Sequence, residues 1–286
     1  MYDGILIIDK PKDYTSRDIV NIVSKKFNTK KVGHTGTLDP LATGVLVICV
    51  GKATKLVEYL TCTYKEYEAE LILGIKTDTA DITGKVLKEE DSIKNKDEIK
   101  KVLNNMIGKY MQTVPIYSAV KINGKKLYEY AREGIDIELP KREVEIKKLE
   151  LLDIKYEDNK TIVKIKTLVS KGTYIRSLIE DIATNLNTIG TMSNLRRTKQ
   201  GKFNIEDSCT IDNIDNVKIL SIEDILNDIY SVDVDDNLYN KIKNGAIIDN
   251  IYNKDLILFK KDGKILSAYK KYEKKEDKLK PYIMFL

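Results

Sequence analysis

The residue types that could do chemistry are concentrated in residues 33–46, GHTGTLDPLATGVL, which contain the only histidine of the chain, His34, and Asp39. The glycines of this segment adopt backbone conformations that other residues resist, and Pro40 disfavours the α region at Asp39. A positioned carboxylate can act as a nucleophile, and an imidazole, which titrates near neutrality, can act as a base. Spacing alone favours a simpler interpretation, a polar turn that Asp39 closes or caps.

The composition fits a globular protein with one large or two modest domains. The chain has 286 residues, of which 42% are hydrophobic and 33% are charged. This length can bury a sizeable core. Lysine and arginine number 49 against 44 acidic residues, which gives a net charge of +5. So mild an excess is compatible with a nucleic-acid partner but does not indicate one, and the clustering of the charges matters more.

The basic residues are concentrated near the C-terminus. Residues 254–280 contain ten lysines and five acidic residues. A basic surface of this kind can follow a phosphate backbone and steer an anionic partner. The solvated surface of a lysine-rich protein explains the same composition, so charge alone leaves both interpretations open.

Three cysteines, Cys49, Cys62 and Cys209, are widely spaced, form no CxxC pattern and have no second histidine to join them. We therefore expect no metal site, and so few cysteines suit a reducing cytosol. The N-terminus lacks the apolar core of a signal peptide, and no run approaches the roughly 18 apolar residues of a membrane span. These features predict a cytoplasmic protein.

Hydrophobic periodicity predicts the elements that must position Asp39. An apolar run at 4–8 predicts a buried strand, and Ser16 is the expected cap of the helix that follows. A β-branched run at 45–50 predicts a strand directly after the Asp39 segment, which would hold a reactive group rigidly. Further predictions are an alternating strand at 64–73 with Tyr67 on its buried face, a helix at 97–107, a strand at 161–169, and a helix after Gly172 in which Arg176 lies beside the apolar stripe.

Strands and helices alternate without the rhythm of a parallel βαβ array, so the sequence predicts an α+β fold with a mixed sheet. Beyond about residue 225 the pattern changes, because residues 231–237 are acidic and turn-like and short strands are predicted at 256–259, 265–269 and 282–286. We therefore expect a larger domain at 1–225, which carries Asp39, and a small β-rich domain at 230–286.

Residues 112–140 interleave aromatic and basic side chains. Such a mixture suits RNA, which is held by phosphate contacts and by stacking of splayed bases. The alternative is an ordinary amphipathic helix whose tyrosines pack. The side chains concerned are Tyr117, Lys121, Lys125, Lys126, Tyr128, Tyr130 and Arg132.

Seven sequence blocks, all in order, resemble the TruB family of tRNA pseudouridine synthases. They are residues 4–11 (GILIIDKP), 33–46, 65–67 (KEY), 74–79 (GIKTDT), 115–121 (PIYSAVK), 170–176 (SKGTYIR) and 195–198 (LRRT). One such block would be weak evidence, whereas seven in register are strong. Val114 and Val169 depart from the family pattern, which usually has a second proline and a cysteine there, but neither position supplies catalytic chemistry.

The resemblance implies the pseudouridine synthase fold, a mixed sheet with a central cleft, and the conversion of uridine 55 in the T-loop of tRNA to pseudouridine. No cofactor or metal is implied. It also implies that the insertion at 112–140 closes over the RNA and that residues 230–286 form a PUA-like RNA-binding domain. The expected partner is the T-arm stem-loop of tRNA, with no obligate protein partner and no membrane.

By this resemblance Asp39 is the nucleophile, whether it attacks ribose C1′, attacks uracil C6 or assists glycal formation. Arg176 is its partner, since a guanidinium stays charged and keeps a carboxylate ionised in a water-poor pocket. Tyr67 is expected to stack on the target base, because a tyrosine hydroxyl is a poor base at neutral pH. Tyr174 and Leu195 are expected to line the uracil pocket. Without the resemblance, Arg176 would be read as a phosphate or surface contact and the last two as core.

The resemblance also changes the role of His34. A reaction on a base in a folded loop requires the nucleotide to flip out, and we expect His34 to occupy the vacated stack or to contact the flipped nucleotide. Lys10 is expected to support the cleft or bind a phosphate, and Arg196 and Arg197 are expected to act likewise.

Three other functions are alternatives to the one that the resemblance implies. An RNA-binding folding factor would remodel tRNA with modification secondary or absent, although the set of Asp39, Tyr67 and Arg176 speaks against an inactive binder. A guide-RNA-dependent enzyme is disfavoured because the chain lacks long extensions for partner proteins. A hydrolase that uses Asp39 as nucleophile lacks an evident metal cluster or general base.

Overall fold

The computed structural model describes residues 2–286. Its first half contains strands β1 (Gly4–Lys10), β2 (Val32–His34), β3 (Thr43–Val50), β4 (Lys65–Leu73), β5 (Ile75–Thr77), β6 (Val86–Glu89), β7 (Gly108–Thr113), β8 (Lys121–Ile122) and β9 (Lys125–Lys126). The helices of this half are α1 (Ser16–Lys26), α2 (Val57–Thr61), α3 (Lys96–Asn105) and α4 (Leu127–Glu133), and a 3₁₀ helix spans Gly51–Leu56.

The second half begins with β10 (Lys141–Glu157), β11 (Lys160–Val169), α5 (Ile175–Asn185), β12 (Gly190–Gln200) and β13 (Phe203–Asn204). Two 3₁₀ helices follow at Ile205–Asp207 and Ile211–Asn216. The C-terminal elements are α6 (Ile222–Ile225), β14 (Ser231–Asp233), α7 (Asp236–Lys243), β15 (Ile248–Asp249), β16 (Leu256–Lys261), β17 (Lys264–Tyr272) and β18 (Lys275–Met284). The third predicted strand there was misplaced, since β18 begins well before residue 282.

The start of α1 differs from the prediction in one respect. The cap is Thr15, whose side chain accepts the Asp18 N–H, while the Asp18 carboxylate accepts the Thr15 N–H to complete a capping box. Ser16 is instead the first helical residue, and its hydroxyl bonds the main chain of Leu38, accepting at 2.8 Å and donating at 3.1 Å. A residue expected to cap the helix thus anchors the Asp39 segment.

The central sheet has nine strands in the order β1-β3-β12-β4-β11-β10-β7, with β2 on β3 and β13 on β12. Strand β12 runs parallel to β3, whereas β12 and β4, like β1 and β3, are antiparallel. The predicted mixed sheet is therefore confirmed. Buried and half-buried residues alternate along the whole of β4, which places Tyr67 on the buried face as predicted.

Two apolar layers enclose this sheet. Helices α1, α3 and α5 pack on one face, where their apolar stripes join the inward side chains of β4 and β11. On the other face, Ile5, Ile7, Val45 and Val47 of β1 and β3 share a core with side chains of the C-terminal sheet, including Ile283. Each such buried side chain contributes about 1.5–3 kcal/mol. This shared core holds β3, the strand that follows the Asp39 segment, on the face of the sheet opposite the three helices.

The C-terminal region forms a five-stranded sheet in the order β14-β16-β17-β18-β15. Ile257, Phe259, Tyr269 and Leu279 form a further core with Ile242 of α7. The region is β-rich, as predicted. The division of the chain at residues 225–230 and the PUA-like character of residues 230–286 stay predictions.

Candidate active site

The Asp39 segment presents a carboxylate between two buried anchors. Leu38 and Leu41 are both buried, and the Ala42 N–H donates to the Asp39 carbonyl at 3.0 Å to close a turn. The Asp39 side chain keeps 35% of its surface exposed. The turn that the spacing predicted is thus present. It directs the Asp39 carboxylate toward a cleft, while Leu38 and Leu41 enter the core.

Gly44 allows this segment to join the sheet. Its φ is +102°, and a Cβ built on it would lie 2.2 Å from the Arg197 carbonyl of the adjacent strand β12. Strands β3 and β12 approach this closely only because position 44 has no side chain. The position of Asp39 over the sheet therefore depends on a glycine five residues away.

Arg176 forms an ion pair with Asp39. Arg176 Nε lies 3.0 Å from Asp39 Oδ2, and Nη2 lies 3.4 Å from Oδ1, so the guanidinium meets the carboxylate along one edge. Arg176 lies in the first turn of α5 and its side chain is 7% exposed. A buried guanidinium needs acceptors, and main-chain carbonyls of Thr79 and Tyr117 supply two more, at 3.0 and 2.9 Å.

A cleft of about 400 Å³ opens in front of this ion pair. Its volume lies within the range of small-molecule sites, which combine apolar and aromatic walls with a few polar groups. The structure brings five of the predicted site residues to this cleft, namely Asp39, Tyr67, Tyr174, Arg176 and Leu195. Tyr67 comes from β4 and Leu195 from β12. Tyr174 and Arg176 lie at the start of α5, and Asp39 lies between β2 and β3.

Tyr174 is held by a residue that the sequence interpretation did not assign to the site. The buried side chain of Gln112 accepts the Tyr174 N–H at 2.8 Å and donates to the Tyr174 carbonyl at 3.1 Å. Gln112 Nε2 also donates to the Tyr110 hydroxyl, which donates to Asp181 of α5. No strand was predicted at this position, so the sequence had no signal for the role of the Gln112 amide.

His34 lies at the end of β2, outside the residues that line the cleft. Its Nδ1 accepts the Gly36 N–H at 3.3 Å, so the imidazole braces the turn before Asp39. Burial lowers the pKa of His34, and the nearby Arg17 and Arg197 lower it further. The neutral imidazole is therefore the form present near neutral pH, and its contact with a flipped nucleotide stays a proposal.

Lys10, which was expected to support the cleft or bind a phosphate, is completely buried. Its ammonium donates to the carbonyls of Pro11 and Tyr14, at 2.8 and 2.6 Å, and more weakly to that of Pro40. Burial lowers the pKa of Lys10 to about 8, and the charge of Asp39 opposes this shift. Lys10 thus holds the main chain next to Asp39, and its role toward the substrate stays a prediction.

Two further basic residues line the cleft. Arg197 is completely buried and donates to the carbonyls of Val45 and Gly36, at 2.6 and 3.1 Å, which ties β12 to both sides of the Asp39 segment. Lys65 donates to two carbonyls at the end of α2, and burial followed by the charge of Arg197 lowers its pKa to about 8. Arg196 instead forms a two-pronged ion pair with Asp9.

Most of the predicted insertion, residues 114–140, lies between β7 and β10, and its first two residues belong to β7. Its helical part is restricted to α4, so a single amphipathic helix does not describe it. Basic side chains lie over tyrosine rings here, with Lys125 at 4.8 Å from the Tyr130 ring centre and Arg132 at 5.2 Å from that of Tyr128. The insertion reaches the cleft through Tyr117, Ser118, Ala119 and Tyr128.

The part of the chain that the structure describes has no candidate for a metal site or for a membrane-spanning helix. Among the described residues, no three His, Cys, Asp or Glu side chains are grouped so that they could hold a metal ion. No helix within residues 2–286 combines the length and the hydropathy that a bilayer crossing requires.

Solved structures share this architecture. The structure titled "Structure of H/ACA RNP bound to a substrate RNA containing 2′-deoxyuridine" superposes with a TM-score of 0.70 at 23% identity, covering 99% of this chain and 85% of that one. The "Crystal Structure of a Cbf5-Nop10-Gar1 Complex" gives a TM-score of 0.67 at 27% identity, covering 93% of this chain and 78% of that one. Together these likenesses show that the chain has the fold of the pseudouridine synthases.

The family follows from sequence comparison. Residues 24–175 match "TruB family pseudouridylate synthase (N terminal domain)" and residues 176–231 match "tRNA pseudouridylate synthase B C-terminal domain". The tRNA pseudouridine synthase B of Bacillus subtilis is 40% identical over 98% of this chain and 97% of its own. That of Caldicellulosiruptor saccharolyticus is 47% identical over 85% of this chain and 82% of its own. The chain belongs to the TruB family.

Proposed function

We propose that this protein converts uridine 55 in the T-loop of tRNA to pseudouridine, with Asp39 as the nucleophile. The observation that carries the proposal is the edge-on ion pair between Asp39 and buried Arg176 at the cleft, with Nε and Oδ2 3.0 Å apart. The tRNA substrate is inferred from relatives named tRNA pseudouridine synthase B, including one 40% identical over nearly the whole chain.

The reaction is an isomerisation in which atoms balance within the nucleotide. The bond between uracil N1 and ribose C1′ breaks, the base rotates, and a new bond joins C5 to C1′. The proton on C5 is lost and N1 gains one, so the composition of the RNA is unchanged. Asp39 serves as the nucleophile of this sequence, and Arg176 holds and orients its carboxylate.

The cleft walls suit a flat base removed from its stack. Tyr67 is 6% exposed and faces the cleft from β4, where its ring stacks on the flipped uracil. Leu195 lies on the neighbouring strand β12 and Tyr174 lies at the start of α5, and these two complete the uracil pocket. His34, beneath the turn, contacts the nucleotide or fills the space that the flipped base leaves.

The rest of the RNA lies on the basic surfaces around the cleft. The insertion at 112–140, with its paired lysine, arginine and tyrosine side chains, covers one side of the T-loop. Four lysines of the C-terminal region also lie over tyrosine rings, with Lys261 4.3 Å from the ring centre of Tyr239. Residues 230–286 act as a PUA-like domain that holds the phosphate backbone beyond the loop.

The test is incubation of the purified chain with an unmodified tRNA transcript, followed by mapping of pseudouridine. We expect a single product at uridine 55, and none in a transcript that carries cytidine there. The variant Asp39→Asn keeps the size of the side chain, binds the tRNA, and slows the reaction by at least about 1,000-fold. No product with wild-type protein, or near-normal product with Asp39→Asn, would refute the proposal.

The lysine–tyrosine pairs of the C-terminal region, which lie outside the cleft lining, favour a second candidate function, tRNA folding. A protein that binds RNA over a wide basic surface can stabilise a fold without chemistry. The two functions differ in their dependence on Asp39, because folding by surface contact does not require a nucleophile.

A further inference from the structure

Ser118 carries a hydroxyl that has no role in the site as described so far. Ser118 lines the cleft and is 7% exposed, and its Oγ is buried without a hydrogen-bond partner within the chain. Among the described residues, Gln200, Ser267 and Tyr269 also carry such an atom, but none of these three lines the cleft. A buried polar group without a partner requires an explanation. At a cleft, that explanation is a group of the substrate.

The main chain of Ser118 is held on both sides. Its N–H donates to the Ile116 carbonyl at 2.9 Å, and its carbonyl accepts the N–H of Tyr128, in the first turn of α4, at 3.2 Å. These bonds fix the segment between β7 and β8 against the start of that helix. The hydroxyl is the one polar group of Ser118 that they leave unpaired, and rotation about the Cα–Cβ bond directs it.

Ser118 lies beside the ion pair of the cleft. The carbonyl of the preceding residue, Tyr117, accepts from Arg176 Nη2 at 2.9 Å, and the same nitrogen lies 3.4 Å from Asp39 Oδ1. The residues proposed to hold the base come from the central sheet, Tyr67 from β4 and Leu195 from β12. Ser118 comes instead from the insertion. With the base against the sheet and the sugar next to the nucleophile, Ser118 is placed at the sugar.

The ribose 2′-hydroxyl is the group of the sugar that suits this position. It is attached to the carbon next to C1′, whose bond to uracil breaks. Like a serine hydroxyl, it both donates and accepts a hydrogen bond. A phosphate only accepts and favours a cation as its partner. The cation beside Ser118 is Arg176, which already donates to Asp39 and to the carbonyls of Thr79 and Tyr117. A neutral hydroxyl is therefore the better match.

We propose that Ser118 binds the 2′-hydroxyl of the target uridine and thereby selects a ribonucleotide for the cleft. The proposal rests on the proposed function, which places that uridine beside Asp39. A 2′-hydroxyl is the group by which a protein distinguishes RNA from DNA at a given site. The insertion thus determines specificity inside the cleft, through one hydroxyl, in addition to any contact that its basic side chains make with the phosphate backbone.

The experiment measures the Kd of two T-arm stem-loops, one with uridine and one with 2′-deoxyuridine at position 55. The full chain carries Asp39→Asn, so that neither RNA is converted during the measurement. We expect the deoxy RNA to bind about 3- to 10-fold more weakly, the effect of one net hydrogen bond. Adding Ser118→Ala is expected to weaken the uridine RNA by the same factor and to leave the deoxy RNA unchanged. The two RNAs then bind equally, which shows that the two hydroxyl groups interact.

Thr61→Val, added to Asp39→Asn, is the matched control. Thr61 also lines the cleft, but its hydroxyl already donates to the Val57 carbonyl at 2.6 Å. We expect this variant to keep the preference for the uridine RNA. Urea titration supplies a second measurement. Because the Ser118 hydroxyl has no partner within the chain, Ser118→Ala is expected not to lower the urea midpoint. The ratio of two Kd values from one preparation is also independent of its folded fraction.

A preference for the uridine RNA that survives Ser118→Ala would overturn the proposal. Equal weakening of both RNAs by Ser118→Ala would overturn it too, because the hydroxyl would then contact the base or a phosphate, or act only on the fold. Equal Kd values for the two RNAs while Ser118 is present would also count against it. Formation of pseudouridine in the uridine stem-loop by wild-type protein is measured separately. Its absence would refute the proposed function, whatever the Kd values show.

Discussion

The side chain of Gln112 forms two hydrogen bonds with the main chain of Tyr174, accepting its N–H at 2.8 Å and donating to its carbonyl at 3.1 Å. Tyr174 precedes helix α5, and its own side chain makes no capping bond. The amide of Gln112 therefore holds the point at which the helix that carries Arg176 begins. A strand of the central sheet and the ion pair are linked through this one contact.

The first prediction concerns Gln112→Leu, which keeps the volume of the side chain and removes both bonds. The half-buried main-chain groups of Tyr174 and the Tyr110 hydroxyl each lose a bond to Gln112, so we expect the free energy of unfolding to fall by about 1–3 kcal/mol. Urea titration followed by circular dichroism measures this loss. Asn185→Leu, which removes a solvent-exposed amide on α5, serves as the control with a cost below about 0.5 kcal/mol. Equal costs in the two variants would contradict a structural role for Gln112.

The second prediction concerns Gly44→Ala. The new methyl group would lie 2.2 Å from the Arg197 carbonyl, and φ at this position is +102°, so strands β3 and β12 must separate beside Asp39. We expect a loss of roughly 3 kcal/mol in unfolding free energy. Gly263 also has a positive φ, +75°, but a Cβ there would meet nothing within 4 Å. Gly263→Ala is therefore expected to show the cost of the backbone strain alone, about 1 kcal/mol. The difference between the urea midpoints of the two variants measures the cost of the steric clash at position 44. Equal midpoints would exclude that clash.

Much of the local structure that positions Asp39 can be predicted from the sequence, because it follows from local patterns of residue types. The glycines and Pro40 indicate an unusual turn, and the alternation along β4 places Tyr67 on the buried face without knowledge of the fold. The pairing of Asp39 with Arg176 across 137 residues is different, since it depends on how β11 and α5 return to the cleft. Only the resemblance to a family suggested it.

Other features had no readable signal in one sequence. Main-chain carbonyls such as those of Thr79 and Tyr117 are present at every residue, so their use by Arg176 appears only in three dimensions. Lys10 and Lys65 lie within two of the sequence blocks, and burial rather than residue type decides that they bind carbonyls. Strand β10 is rich in lysine and glutamate, which favour helices, and pairing with β7 and β11 overrides that preference.

The third prediction concerns the pH dependence of stability. The pKa of Lys65 is lowered to about 8 in the folded chain from an ordinary value near 10.5. Between these values the unfolded chain binds more protons at this residue, so its contribution to stability increases as the pH rises. Lys65→Met removes that dependence. We expect the unfolding free energy of wild type, relative to the variant, to rise between pH 8 and 10 by up to about 1.4 kcal/mol per pH unit. If the unfolding free energies of wild type and Lys65→Met changed in parallel with pH over this range, the lowered pKa of Lys65 would be contradicted.

The fourth prediction concerns the insertion. Lys125→Gln and Arg132→Gln each remove a positive charge that lies over a tyrosine ring. If these groups contact phosphates, each variant weakens tRNA binding and reduces the slope of log Kobs against log salt by about 0.7–0.9. Filter binding at several salt concentrations measures the slope. Lys100→Gln on α3 removes an equal charge outside the insertion and is expected to leave the slope unchanged. An unchanged slope in the insertion variants would place the RNA elsewhere.

The fifth prediction separates modification from folding by surface contact. Pseudouridine carries an N1–H donor that uridine lacks, and this extra hydrogen bond can raise the melting temperature of the T-arm. We expect tRNA treated with wild-type protein, and then freed of it, to melt at a higher temperature than untreated tRNA, whereas treatment with Asp39→Asn leaves the melting curve unchanged. The variant retains the basic surfaces of the insertion and of residues 230–286, so any effect of binding alone survives in it. Equal changes after treatment with the two proteins would favour the folding factor, because the nucleophile would then be dispensable.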